Sequence, residues 1–139
     1  PRPSRPGPGR PWRGEGLVLV VDDEEMVRQV AKASLEHAGF EVIEASDGQE
    51  AVDIYEARKD EILAVLLDMT MPKLSGGEVL AKLLDIDPDV VALLSSGFSE
   101  PEKLDPELQA RAAGFIQKPY RPSELLQKMR TALGSNGGP

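Results

Sequence analysis

From residue 17 onward, short apolar runs alternate with apolar stripes at helical spacing. Residues 17–21 (LVLVV) are apolar without interruption, which predicts a strand covered on both faces, as in a parallel sheet. Residues 62–67 and 90–94 repeat that pattern. Residues 40–45 alternate around Val42 and Ile43 and predict another strand, and 114–116 predict a short last one. Between them lie the stripes. From 25 to 38, Val27, Val30, Ala31, Ser34, Leu35 and Ala38 fall on one face, with Arg28, Gln29, Lys32 and Glu36 on the other. Gly39 is the expected stop. Asp47 followed three residues on by Glu50 has the form of a capping box and opens a helix over 49–58 that buries Ala51, Ile54 and Tyr55. A helix over 77–86 buries Val79, Leu80, Leu83 and Leu84, a weaker one is expected between 101 and 112, and the last, over 122–133, buries Leu125, Leu126, Met129 and Leu133.

Strand and helix thus alternate five times. Right-handed crossovers then give a three-layer α/β architecture, a doubly wound parallel sheet of five strands with helices on both faces. In such open sheets the ligand site lies outside the carboxyl ends of the strands. The first strand ends at Asp22 and Asp23, the third at Asp68, the fourth at Ser96 and the fifth at Lys118. Three acids, a hydroxyl and a lysine are therefore expected at one end of one sheet. The plainer reading of Asp22 to Glu25 is a helix cap and first turn, where negative charge is favoured. The convergence of the other strand ends weighs against that reading for Asp22 and Asp23 and leaves Glu24 and Glu25 as first-turn charges.

Composition narrows the picture. The 139 residues are enough for one domain with a core. Residues 1–16 hold five prolines and four glycines and read as a flexible linker, 17–134 as the domain, and 135–139 as a disordered tail. Without cysteine there is no disulfide framework and no thiolate metal site. The net charge of −8 divides into +3 over residues 1–16 and −11 over 17–139, so the folded part is a poor nucleic-acid binder. No apolar segment approaches a membrane span, and no apolar run follows the N-terminal arginines as a secretory signal requires. His37, the one histidine, stands near a helix end and reads as structural.

Three carboxylates suit a hard divalent cation such as Mg²⁺, which takes one or two carboxylates together with waters and phosphoryl oxygens. A lysine and a hydroxyl beside them suit a phosphoryl group, and one acid of such a set can act as nucleophile toward phosphorus. The residues that carry this chemistry resemble those of two-component response-regulator receiver domains. The matching pieces are Val20 to Glu24, Leu67 to Pro72 followed by Ser75 and Gly76, Leu94 to Gly97, and Phe115 to Tyr120. Singly these are weak; in this order and on these elements they are specific, and they cover roughly residues 17–134.

The resemblance implies a flavodoxin-like, CheY-like fold and a set of roles. Asp68 is the implied acceptor of a phosphoryl group from a phosphohistidine on a sensor histidine kinase or a histidine phosphotransfer protein. Asp23 is implied to bind Mg²⁺ directly, Asp22 mainly through a water, and Asp68 and the main-chain oxygen of Thr70 to complete the protein ligands. Lys118 is implied to pair with Asp68 and then with the phosphoryl group, alongside Ser96 and the main-chain nitrogens of Met69 and Gly97. Phe115 corresponds to an aromatic whose rotation is coupled to the Ser96 hydroxyl, and a cis bond is implied before Pro119. Two positions depart from the commoner pattern: the hydroxyl is serine rather than threonine, and Phe115 lacks a phenolic oxygen. The implied location is cytoplasmic, without membrane contact by the domain itself.

Two rivals stand beside this reading. A phosphohydrolase of the haloacid-dehalogenase type also uses a strand-end aspartate and Mg²⁺, but usually carries a second aspartate two residues on, where this chain has Thr70. A receiver-like module that binds partners without taking phosphate would not need the intact acids, Ser96 and Lys118. Residues 12–16 and 121–126 are similar to the flanks of receivers at the C-terminal side of hybrid sensor histidine kinases, so the chain is expected to be either a stand-alone regulator or such a fragment.

Overall fold

The odd and even residues of β1 (Leu17–Val21) feed two separate cores. Leu17, Leu19 and Val21 face one cluster and Val18 and Val20 the other, because successive side chains of a strand point to opposite faces. The continuous apolar run is the signature of that two-sided burial. The computed structural model describes residues 16–69, 76–97 and 106–134. The expected linker up to residue 15, the tail at 135–139 and Thr70 lie outside the described residues.

The remaining elements are α1 (Glu25–His37), β2 (Glu41–Ala45), α2 (Gly48–Arg58), β3 (Ile62–Asp68), α3 (Gly76–Ile86), β4 (Ala92–Ser96), α4 (Pro106–Arg111), β5 (Gly114–Gln117) and α5 (Pro122–Gly134). All strand pairs are parallel, in the order β2-β1-β3-β4-β5. Ala51 and Tyr55 of α2 and Val79, Leu80 and Leu83 of α3 cover one face with Leu19, Val65, Leu67 and Leu94. Ala31 and Leu35 of α1 and Leu125, Met129 and Leu133 of α5 cover the other with Val18, Val20, Leu66 and Leu93. Each fully buried leucine or methionine among these contributes about 2–3 kcal/mol relative to exposure, and that burial rather than helix propensity holds the layers together.

The strand order switches from leftward to rightward between β1 and β3. The crevice at that switch point is where ligands of such sheets bind. Local signals act as expected at several ends. Gly39 takes φ +106° after α1, a conformation that costs a Cβ-bearing residue. Asp47 caps α2 by accepting from the Glu50 amide at 2.8 Å. The return arm of that box lands one residue early, on the Ser46 amide at 2.7 Å.

Some boundaries differ from expectation. β4 spans Ala92–Ser96 rather than 90–94. Val90 is instead drawn into a turn by donating to the Asp87 carbonyl at 3.1 Å, and the ladder begins only at Val65–Ala92. α4 is described from Pro106, and the rest of the helix expected from 101 lies outside the described residues. Val30, assigned to the buried face of α1, is 44 % exposed. The buried stripe of α1 is narrower than the sequence suggested, resting on Ala31, Ser34 and Leu35.

Candidate functional site

The register of β4 against β3 matters to the site, because it puts Ser95 directly opposite Asp68, and the strand ends on Ser96. Parallel register then aligns the ends of β1, β3, β4 and β5. Asp22 and Asp68 are both buried, and Asp23 is exposed beside them. One carboxylate oxygen from each of the three lies within 4.8 Å of the others. Lys118, which follows β5, reaches back 3.1 Å to Asp22 Oδ2 and 3.3 Å to Asp68 Oδ1. Its own backbone is tied to the neighbouring strand, since the Lys118 amide donates to the Ser96 carbonyl at 2.8 Å. The peptide bond between Lys118 and Pro119 is cis.

Burial pushes the Asp22 carboxyl above its ordinary range, and the nearby Asp68 charge adds to that push. The Glu24 amide, at 2.9 Å from Asp22 Oδ1, and Lys118 oppose it without cancelling it. For Lys118 burial by itself would lower the pKa, but the attraction of Asp68 and the bond to Asp22 win, and the ammonium is held above its ordinary value. Burial also pushes the Tyr120 phenol up, reinforced by the charges of Asp22 and Asp68. Three carboxylates against one ammonium leave two negative charges in a partly desolvated site. That deficit and the all-oxygen donor set fit a hard divalent cation such as Mg²⁺.

Asp22 and Asp23 differ in what remains to them. Both carboxylate oxygens of Asp22 are engaged, Oδ1 by the Glu24 amide and Oδ2 by Lys118. Asp23 projects outward with its carboxylate exposed. On Asp68, Oδ1 pairs with Lys118, while Oδ2 is buried and accepts no hydrogen bond among the described residues.

Of the other residues singled out in the sequence, Ser96 and Gly97 sit half-buried at the end of β4. A Cβ on Gly97 would meet nothing within 4 Å. Phe115 lies on β5 opposite Leu94 and is 45 % exposed. The Met69 amide, expected to face an incoming phosphoryl group, instead donates to the Ser95 carbonyl at 2.8 Å. It extends the ladder between β3 and β4 by one residue, so in this arrangement that donor is spent on the sheet. α3 begins at Gly76, where a Cβ would stand 2.6 Å from Met69 Cα and 2.8 Å from the Asp68 carbonyl oxygen. Only glycine lets α3 start this close behind the strand end.

Three contributors were not apparent in the sequence. Glu24 is the N-cap of α1 but makes no side-chain cap; its carboxylate stands 3.7 Å from Lys118. Arg28, placed on the polar face of α1, folds back to donate to the Asp22 carbonyl. Tyr120 packs at the edge of the α1/α5 core near both buried acids.

Comparison with known proteins bears on this arrangement. Residues 18–130 match the sequence model of the response regulator receiver domain. The chemotaxis protein CheY of Thermotoga maritima is 34 % identical over 113 residues, covering 81 % of this chain and 92 % of that protein. A transcriptional regulatory protein of Bacillus subtilis, YkoG, is 37 % identical over 124 residues, 88 % of this chain but 53 % of that protein. The chain thus spans nearly all of one relative and about half the length of the other. Among solved structures, a receiver domain protein from Clostridium thermocellum superposes with a TM-score of 0.80 at 29 % identity, covering 88 % of this chain and 97 % of that one. The CheX–CheY–BeF3–Mg²⁺ complex of Borrelia burgdorferi gives 0.76 at 30 % identity, covering 84 % and 87 %. With the strand order, the strand-end acids and these matches in agreement, the chain belongs to the response regulator receiver domain family of two-component systems.

Proposed function

We propose that this receiver domain takes a phosphoryl group on Asp68 from a phosphohistidine of a sensor histidine kinase or phosphotransfer protein, with Mg²⁺ bound beside it. The convergence of Asp22, Asp23, Asp68 and Lys118 at the ends of three parallel strands carries the reading. Asp23, exposed, would bind the ion directly; Asp22, with both oxygens already engaged, would hold it through water; Asp68 and the Thr70 carbonyl would complete the protein ligands. The ion supplies charge neutralisation for the phosphoryl oxygens in transfer.

The chain's own residues do the rest. An Asp68 carboxylate oxygen attacks phosphorus as the P–N bond to the donor imidazole breaks, and the imidazole leaves with a proton from solvent. Lys118 shifts from the Asp68 carboxylate to the new phosphoryl oxygens, where an ammonium acts as a point charge. The Ser96 hydroxyl and Gly97 amide stand at the same strand end to donate to those oxygens. These contacts exist only in the phosphorylated state, so they bias the segment after β4, and Phe115 on β5, toward a second arrangement. The isolated domain is a phosphoacceptor that turns over slowly through loss of its own aspartyl-phosphate. The N-terminal residues up to 16 act as a linker, and the domain works in the cytoplasm.

Incubation with Mg²⁺ and a small phosphodonor such as acetyl phosphate tests this. One acid-stable, base-labile phosphoryl group per chain is expected, and none when the metal is chelated. Multiple turnover of simple phosphomonoesters would mark a hydrolase instead, and a chain left unlabelled with metal present would mark a partner-binding module.

A further inference from the structure

We propose that Arg28 is a positioning residue for the metal seat, fixing the backbone of Asp22 and, through it, the direction of Asp23. The inference deepens the Mg²⁺ reading above and rests on it in its metal-binding half. Arg28 sits one turn into α1, on the face that helical periodicity assigns to solvent, yet its side chain is only 16 % exposed. The guanidinium lies back over the helix start. Its terminal nitrogen donates to the Asp22 carbonyl at 2.8 Å, and Nε donates to Glu44 Oε1 of β2 at 3.1 Å. Glu44 is in turn 3.8 Å from Lys32, on the next turn of α1.

One planar group therefore ties together the end of β1, the first turns of α1 and the adjacent strand β2. The fork geometry is specific to arginine; a lysine nitrogen is a single point and cannot span both partners in the same way. Asp22 is thereby held on every polar atom. Its amide donates to the Ala45 carbonyl at 3.2 Å, its carbonyl accepts from Arg28, and its two carboxylate oxygens accept from Glu24 and Lys118. Asp23 follows with no such side-chain bond among the described residues, so its aim depends on the residue before it. Arg28 also brings a positive charge to the rim of a site with two negative charges in excess, without occupying a position where an ion would bind.

The test compares Arg28→Met, Arg28→Lys and Glu44→Gln with the wild type in two measurements. Amide hydrogen exchange of the metal-free domain reads the Glu24 amide, which is bonded to Asp22 Oδ1; calorimetric titration reads Mg²⁺ affinity. In Arg28→Met the Glu24 amide is expected to exchange about fivefold faster while amides at 31–35 keep their rates, and the Mg²⁺ dissociation constant rises about fivefold, the scale of one lost charge-assisted hydrogen bond. Arg28→Lys falls between, and Glu44→Gln, which keeps an acceptor for Nε, stays within about twofold. Unchanged Glu24 exchange and unchanged Mg²⁺ affinity in Arg28→Met would overturn the inference. So would equal acceleration along all of α1, which would make Arg28 a general helix stabiliser. If the wild type itself binds no Mg²⁺, the metal reading fails, and the exchange pattern still decides whether Arg28 positions Asp22. If Arg28→Met does not fold, the ordering of Arg28→Lys below wild type in both readouts decides in its place.

Discussion

Asp22, Asp68 and Lys118 show how a strand-end residue becomes chemistry. Each is polar at the point where a buried run stops, and that is why the sequence reveals them: nothing in a core explains them. Their cost is burial with like charge, which the raised Asp22 carboxyl records. Lys118 offsets it. Replacing Lys118 by Met in the metal-free domain leaves two buried carboxylates facing each other, and a loss of about 2–3 kcal/mol in denaturant unfolding at pH 7 is expected. The pH dependence has a definite sign. Because the folded lysine is held above its ordinary value of 10.5, its contribution is complete below that value and disappears as pH rises through the folded one. The stability gap between wild type and Lys118→Met should be level from about pH 7 to 10 and narrow above it; a gap that widens with alkalinity would contradict the assignment. Arg28 and Glu24 were not legible at this scale. A helical wheel places a side chain by its Cβ, and long side chains can fold back along the helix to a partner the wheel does not contain. The bond from the Met69 amide to the Ser95 carbonyl was out of reach for a related reason: sequence does not say how far a ladder continues past its last apolar residue.

At the scale of elements, apolar runs and stripes located every strand and helix among the described residues, and the boundary errors fell at ends. Val90 and Val91 look like strand, but the turn at Asp87 claims the Val90 amide, and pairing with β3 sets the start of β4 at Ala92. The register of that pairing decides which serine stands opposite Asp68, which no local pattern could supply. The start of α3 is the opposite case. Gly76 was legible as part of a motif, and the structure gives the motif its physical reason: a Cβ there would collide with the Met69 and Asp68 backbone. Because backbone cannot yield as a flexible side-chain tip can, Gly76→Ala is expected to cost about 1–3 kcal/mol. It should also weaken Mg²⁺ binding, since the strand end it displaces carries Asp68. Denaturant unfolding together with calorimetric titration checks both, and an alanine variant with wild-type stability would show that α3 can slide away without consequence.

For the whole molecule, the parallel order β2-β1-β3-β4-β5 is what gathers residues 96 positions apart in sequence, Asp22 and Lys118, into one ion pair. Alternation of strands and helices predicted that sheet, and the rule of carboxyl ends predicted which residues would meet. Distances, the hydrogen bonds that engage both carboxylate oxygens of Asp22, and the restraint from Arg28 came only with the packed structure. A site with two negative charges in excess should make the fold itself sensitive to metal. Saturating Mg²⁺ at about a hundred times its dissociation constant is expected to stabilise the domain by about 2.7 kcal/mol. A thermal midpoint several degrees higher would show it, and the gain should be lost on chelation and largely absent in Asp23→Asn. The central claim is that Asp68 accepts the phosphoryl group. Intact-mass measurement of wild type and Asp68→Asn, each treated with acetyl phosphate and Mg²⁺, tests it most directly. One added phosphoryl group on the wild type and none on Asp68→Asn is the predicted result, and equal labelling of the two would contradict it.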